Sequence, residues 1–250
     1  MKKILQVCLL ILFISGISFS QEMHTFPRST FLMGSSSGEE DERPQHSVTL
    51  SPYKIDTKEV TNKEYNECVQ SGKCQPAHYS DGKCYIWSSA GLKKAKIPVY
   101  FQQDNRPVVC VSWPQARTYC RAQGKRLPTE AEWENAATAQ GKREYSILTS
   151  PSSKSARFQS GSSAPVGSFP KGYAQLSDMC GNSWEWVYDR YEKEFYSYSS
   201  SENPKGPGVG RFRVIRGGGW YSTSEQLRGR NRHWFAPEVG EVSIGFRCAR

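Results

Sequence analysis

Three hydroxyl-led capping signatures constrain this chain more than anything else in it. Thr61-Asn-Lys-Glu64, Ser112-Trp-Pro-Gln115 and Thr129-Glu-Ala-Glu132 each place a hydroxyl at a helix entrance and a Glu or Gln three residues on. In that arrangement the hydroxyl accepts from an amide of the first turn, and the acid or amide reaches back to the capping residue's N–H. Apolar residues then recur at helical spacing: Tyr65, Cys68 and Val69; Ala116, Tyr119 and Cys120; Trp133, Ala136 and Ala137. Gly72 and Gly124 stand where the first two helices should stop. Residues 31–34 and 46–55 alternate as short strands around an acidic turn at 38–42. Elsewhere, above all in 73–106 and 139–177, Gly, Pro, Ser and Asn break every periodicity. The chain's 7 Trp, 13 Tyr and 11 Phe can knit such irregular segments into a core. The reading is an α+β domain with few helices, short sheets and much ordered loop.

The first twenty residues read as a removable leader. Lys2 and Lys3 precede an apolar run from Ile4 to Phe19, and Ser18-Phe19-Ser20 fits a small-x-small cleavage site before Gln21. The division expected is therefore a signal peptide at 1–20 and one domain at 21–250, secreted or periplasmic, with no transmembrane anchor after cleavage. Loss of Lys2 and Lys3 lowers the net charge from +9 to +7. Six arginines lie between Arg211 and Arg232; the plainer account is that carbonyls and carboxylates of a loop-rich fold engage them. No phosphate loop, zinc-finger spacing or RNA-binding signature points to nucleic acid. Export makes disulfides the first reading for Cys68, Cys74, Cys84, Cys110, Cys120, Cys180 and Cys248. The odd count leaves at least one thiol unpaired within the chain.

Residues 124–134, 178–187 and the tail 216–250 resemble the formylglycine-generating enzyme family, also called sulfatase-modifying factors. Phe31-Leu-Met-Gly, Glu59-Val-Thr-Asn-Lys-Glu-Tyr65, Pro107-Val-Val-Cys-Val-Ser-Trp113, Pro165-Val-Gly-Ser-Phe169 and Gly245-Phe-Arg-Cys248 are also typical of it. The similarity runs from about residue 31 to the end and implies that family's fold with its C-type-lectin-like core. It implies a bridge between Cys120 and Cys248. Cys68, Cys74, Cys84 and Cys110 can then form two more, in pairings that the sequence leaves open, and Cys180 becomes the odd thiol, buried and inert.

Asp178-Met-Cys-Gly181-Asn-Ser183-Trp-Glu185 is the sharpest site candidate. Carboxylates at both ends of a tight loop, with carbonyls between, make an all-oxygen donor set that suits Ca²⁺ over zinc or copper. The resemblance implies side-chain roles for Asp178 and Glu185 and carbonyl roles for Gly181 and Ser183, in one structural site. The competing reading is an ordinary turn in which Asp178 caps a helix and Glu185 pairs with an arginine. A second calcium site of some relatives is not expected, because Arg157 stands where they carry Asn.

The family's active members hold Cu(I) between two tail cysteines. Counting from Gly217-Gly218, those positions are Ser222 and Leu227, and no cysteine occurs between Cys180 and Cys248. No copper is expected, and no catalytic residue is assigned. The four histidines, His24, His46, His78 and His233, form no ligand pair. The expected role is that of an exported, non-catalytic binding module for a peptide, protein or glycan. Its groove would be lined by Trp220, Tyr221, Arg228, Arg230, His233 and Trp234. The alternatives are a formylglycine-generating oxidase and an oxidative tailoring enzyme of another branch.

Overall fold

Each capping signature does open a helix. The computed structural model describes residues 21–88, 91–94 and 96–250; the leader and its cleavage point lie outside or at the edge of them. In chain order its elements are β1 (Met23–Phe26), β2 (Ser29–Met33), β3 (His46–Leu50), β4 (Tyr53–Asp56), α1 (Asn62–Gln70), β5 (Cys84–Ser88), β6 (Gly91–Lys94), α2 (Trp113–Ala122), α3 (Glu130–Ala137), β7 (Trp184–Arg190), β8 (Arg213–Arg216), β9 (His233–Phe235), β10 (Gly240–Glu241) and β11 (Ile244–Gly245). Thr61, Ser112 and Thr129 close reciprocal caps with Glu64, Gln115 and Glu132. The Thr129 N–H donates to Glu132 Oε2 at 2.8 Å while the Glu132 N–H donates to Thr129 Oγ1 at 3.2 Å. Such a cap is worth about 1 kcal/mol. Gly72 and Gly124 follow α1 and α2 at φ +74° and +66°, a backbone state that glycine enters freely.

The sheets are short, as the broken sequence requires. β2 and β3 pair antiparallel with Phe31 opposite Val48, and β1 pairs antiparallel with β4. A four-stranded sheet in the order β11-β7-β8-β9 carries the C-terminal half. Segment 73–106 departs from expectation. It holds the β5–β6 hairpin, to which β10 adds a parallel strand. Partners remote in sequence supply this order, through the β10 ladder and the Cys84–Cys110 bridge, so local periodicity gives no warning of it.

Aromatic rings fill the interior. Trp133 of α3 packs with Phe31, Val48, Leu50, Ile55 and Tyr196. On the other side Tyr65, Tyr119 and Phe246 close up, with Tyr119 and Phe246 centroids 5.4 Å apart. The Cys120–Cys248 bridge runs through that cluster and fastens the chain's end to α2. Cys68–Cys74 and Cys84–Cys110 are the other two bridges, and Cys180 is free and buried. Among the described residues no helix is long and apolar enough to cross a membrane.

The tail arginines turn inward. Arg232, fully enclosed, forks onto Glu130 at 2.8 and 3.0 Å and lies 4.1 Å from the Tyr196 ring centroid. Arg216, equally enclosed, bonds Glu134 and sits over Trp133. Charges removed from water survive only with partners of this kind.

Candidate functional site

β8 delivers the chain to Gly217 and Gly218, both at positive φ (+97° and +78°). A Cβ on Gly218 would stand 2.6 Å from Leu227 Cδ1, so the glycine pair lets the tail fold back on itself. The two positions that matter for copper lie inside this fold. Ser222 is buried, and its Oγ accepts the Gly219 N–H at 2.9 Å. Leu227 is buried against Ala156 and Cys180, with Tyr145, Ile147 and Phe158 around them. A hydroxyl engaged with backbone and an aliphatic side chain offer no soft donor. Cys180 is near, but burial pushes its thiol up to about 12, which keeps it neutral. The residues present do not fit a copper centre.

Tyr221 and Gln226, the neighbours of Ser222 and Leu227, face a hollow of about 270 Å³ that is completed by Trp184, Ile215, His233, Phe235 and Ile244. His233 packs edge-on against Trp184 at 5.3 Å between centroids, and its Nδ1 accepts the Trp234 N–H at 2.8 Å. Behind Tyr221 lies Glu241, which the sequence reading did not single out. Its Oε2 accepts from the Ser243 N–H (2.7 Å) and Oγ (2.6 Å). The Tyr221 hydroxyl is close enough to influence it, yet Oε1 makes no hydrogen bond among the described residues. Burial with no cation beside it raises this carboxyl to about 7. Nothing in Gly-Glu-Val-Ser marks it in sequence; only the fold encloses it.

The six groove candidates do not form one groove. Trp220 is 7% exposed, packed on Phe101 at 5.7 Å with its Nε1 donating to the Val242 carbonyl. Tyr221 and His233 share the hollow just described. Trp234, 38% exposed, stacks on Phe212 and borders, with His233, a separate shallow hollow beside Glu39 to Asp41. Arg228 forks onto buried Glu42 at 2.8 and 2.6 Å, and Arg230 donates to the Gly141 and Arg143 carbonyls. These two border a third hollow near Ser35 to Glu39. The separation of the six has one cause: acceptors within the fold claim the arginines, and the core claims the first tryptophan.

The loop from Asp178 to Glu185 is tightly held. Asp178, Gly181 and Asn182 all take positive φ, and Glu59 clamps the loop by accepting from Asn182 Nδ2 (2.6 Å), Ser183 N–H (3.0 Å) and Ser183 Oγ (2.6 Å). Asp178 accepts the Gly167 N–H at 2.6 Å. Glu185 accepts from Arg247 at 2.6 and 2.7 Å and from Trp133 Nε1 at 2.8 Å. The arginine of the ordinary-turn reading is therefore present; the helix cap by Asp178 is not. Three buried carboxylates, Glu59, Asp178 and Glu185, nevertheless lie in the field of the buried Arg247 guanidinium, which hydrogen-bonds Glu185. Burial raises Asp178 to about 6 and raises Glu59 well above the usual carboxylate range, and the neighbouring carboxylates add to both. Among the described residues no three His, Cys, Asp or Glu side chains converge to hold a metal ion, so a hard cation here would need backbone carbonyls beside Asp178 and Glu185. Arg157, at the position of the second calcium site, donates to the Ser162 carbonyl at 2.8 Å.

Short sheets, capped helices and a glycine-hinged C-terminal loop define a domain of the formylglycine-generating kind. The chain belongs to the sulfatase-modifying factor enzyme 1-like domain family, whose pattern it matches over residues 19–250. It is 37% identical to serine/threonine-protein kinase Pkn1 of Chlamydia trachomatis over 92% of its own length and 38% of the kinase's. The chain thus spans well under half of that relative. It is 32% identical to the formylglycine-generating enzyme of Streptomyces coelicolor, covering 89% of this chain and 87% of the enzyme. Among solved structures it superposes on PvdO from Pseudomonas aeruginosa with a TM-score of 0.74 at 28% identity, over 92% of this chain and 94% of that one.

Proposed function

We propose that this is an exported binding module on the formylglycine-generating frame, which recognises a peptide, protein or glycan instead of oxidising cysteine. The observation that carries the reading is the enclosure of both copper positions: Ser222 bonded to backbone and Leu227 sealed in apolar contacts. What remains accessible beside them is the hollow of Tyr221, Gln226 and His233 and the half-exposed ring of Trp234. Loops held on a rigid scaffold are where recognition usually resides. A structural Ca²⁺ at Asp178, Gly181, Ser183 and Glu185 belongs to the proposal, since it would offset the carboxylate surplus there. Nucleic acid does not, because Arg216, Arg228, Arg230 and Arg232 bond within the protein.

Peptide and glycan arrays probed with the mature chain test this. Binding should survive copper chelation and fall about tenfold in a His233→Ala, Trp234→Ala variant of unchanged stability. Copper-dependent oxidation of a cysteine peptide would contradict it.

One observation favours a second reading, that of a tailoring enzyme which uses acid–base chemistry. Glu241 is a carboxyl raised to about 7 and buried behind Tyr221, which lines the hollow, and such groups concentrate at catalytic sites. Turnover of any candidate substrate that is lost in Glu241→Gln with binding intact would select this reading over the first.

A further inference from the structure

A further cavity, sharing no lining residue with the C-terminal hollow, opens between the β3–β4 turn, α2 and the 203–205 segment. It measures about 510 Å³, within the range of small-ligand sites. Four basic side chains line it: Arg117 and Arg121 from α2, Arg126 after it, and Lys205 from the far wall. Glu132 is the one acidic side chain of the lining, and it is committed twice. It completes the α3 cap and binds Arg126 through two hydrogen bonds of 2.6 Å. Arg117, Arg121 and Lys205 have no acidic partner among the described residues.

The surroundings deepen the positive field. Arg213 lies 3.7 Å from the Trp113 ring centroid and Arg117 lies 5.5 Å from the same ring. Burial, with Arg190 and Arg117 nearby, lowers Arg213 to about 10. Asp189, next to Tyr188 in the chain, is fully enclosed and does not line the cavity; its Oδ2 accepts the Glu130 N–H at 2.8 Å, and burial and its acidic neighbours raise it well above the usual range. Arg117 and Arg121 are also an i, i+4 pair of like charge, which costs an isolated helix a few tenths of a kcal/mol. The plain alternative is a solvated cationic face. Arg121 in the last turn complements the helix C-terminus, but that does not account for Arg117 in mid-helix or Lys205 across the cavity.

We infer that this cavity binds the oxyanion groups of a small charged sugar, a sugar sulfate or a sugar phosphate. Guanidinium forks match sulfate and phosphate oxygens, and exposed Tyr188 on the wall offers a ring face and a hydroxyl to a sugar carrier, while Ser51 and Asn203 bond each other and Thr129 caps α3. The site is separate from the binding surface proposed above and does not depend on it.

Calorimetry on the mature chain decides the matter, with a trisulfated heparin-type disaccharide, a hexose bisphosphate, neutral maltose and a short oligothymidylate as probes. At least one charged sugar should bind with Kd below about 1 mM at low salt, and the arm that binds identifies sulfate or phosphate as the source. Maltose should give no heat. The Arg117→Ala, Arg121→Ala variant should weaken binding about tenfold, and Lys93→Ala, Lys94→Ala on exposed β6 less than about twofold. Lys205→Ala, in an exposed loop, provides a second test should the helix variant lose stability. The inference is overturned if neither charged sugar binds, if the β6 pair weakens binding equally, or if the oligonucleotide binds as tightly as the sugars.

Discussion

Replacing Glu241 by Gln separates burial from charge behind Tyr221 of the C-terminal hollow. The carboxyl is fully enclosed, has no cation beside it, and is raised from 4.5 to about 7. A carboxyl raised by folding binds its proton more tightly in the native state than in the unfolded chain. Its contribution is therefore most favourable at low pH, falls as pH rises from about 4.5 to about 7, and is flat above. At 1.36 kcal/mol per pH unit, the native state should lose about 2–3 kcal/mol between roughly pH 5 and pH 8 on account of this group alone. Gln keeps the shape and the oxygen that accepts from Ser243 but has no charge to desolvate. Any packing cost of the amide is the same at both pH values. The stability difference between variant and parent should thus move by about 2–3 kcal/mol in the variant's favour from pH 5 to pH 8. Urea unfolding followed by tryptophan fluorescence, with the bridges intact, measures it. Asp56 and Asp178, each raised to about 6, titrate in both proteins and cancel in the difference. An equal difference at the two pH values would refute the argument that this carboxyl is dry and without countercharge.

Three other perturbations discriminate as sharply. Removing the Cys120–Cys248 bridge by paired serine substitution opens a loop with a separation of 128 residues. The chain-entropy account predicts a loss of about 4–5 kcal/mol, read as a lower urea midpoint. Trp220→Ala should cost about 3–5 kcal/mol because that ring is buried against Phe101, whereas Trp234→Ala, at the surface, should cost less than about 1 kcal/mol. Millimolar Ca²⁺ should raise the melting temperature of the parent protein and leave that of Asp178→Asn almost unmoved; equal shifts in both would remove the calcium assignment.

The helices were legible because their instructions are local. A hydroxyl and an acid three residues apart, followed by apolar spacing and a glycine, need no distant partner, and Thr61, Ser112 and Thr129 act as read. Strands β2 and β3 were legible from alternation for the same reason. The β5–β6 hairpin was not, since its order comes from β10 and from Cys110, far along the chain. The tail divided along the same line. That Ser222 and Leu227 are not cysteines is a matter of residue identity and could be read directly. A shared groove is a matter of where side chains find partners, and Glu42, Gly141 and Arg143 lie far in sequence from the arginines they engage. Glu241 became visible only once the fold had buried it.

The central claim is that the formylglycine-generating frame is kept here without its copper chemistry. Titration of Cu(I) against a competing chelator, using the mature oxidised chain and a Cys180→Ser variant beside it, tests that claim most directly. The account predicts no stoichiometric tight binding in either protein, because Ser222 is bonded to backbone, Leu227 carries no donor and the Cys180 thiol stays protonated. One equivalent of tightly held copper, followed by oxidation of a cysteine peptide, would contradict it.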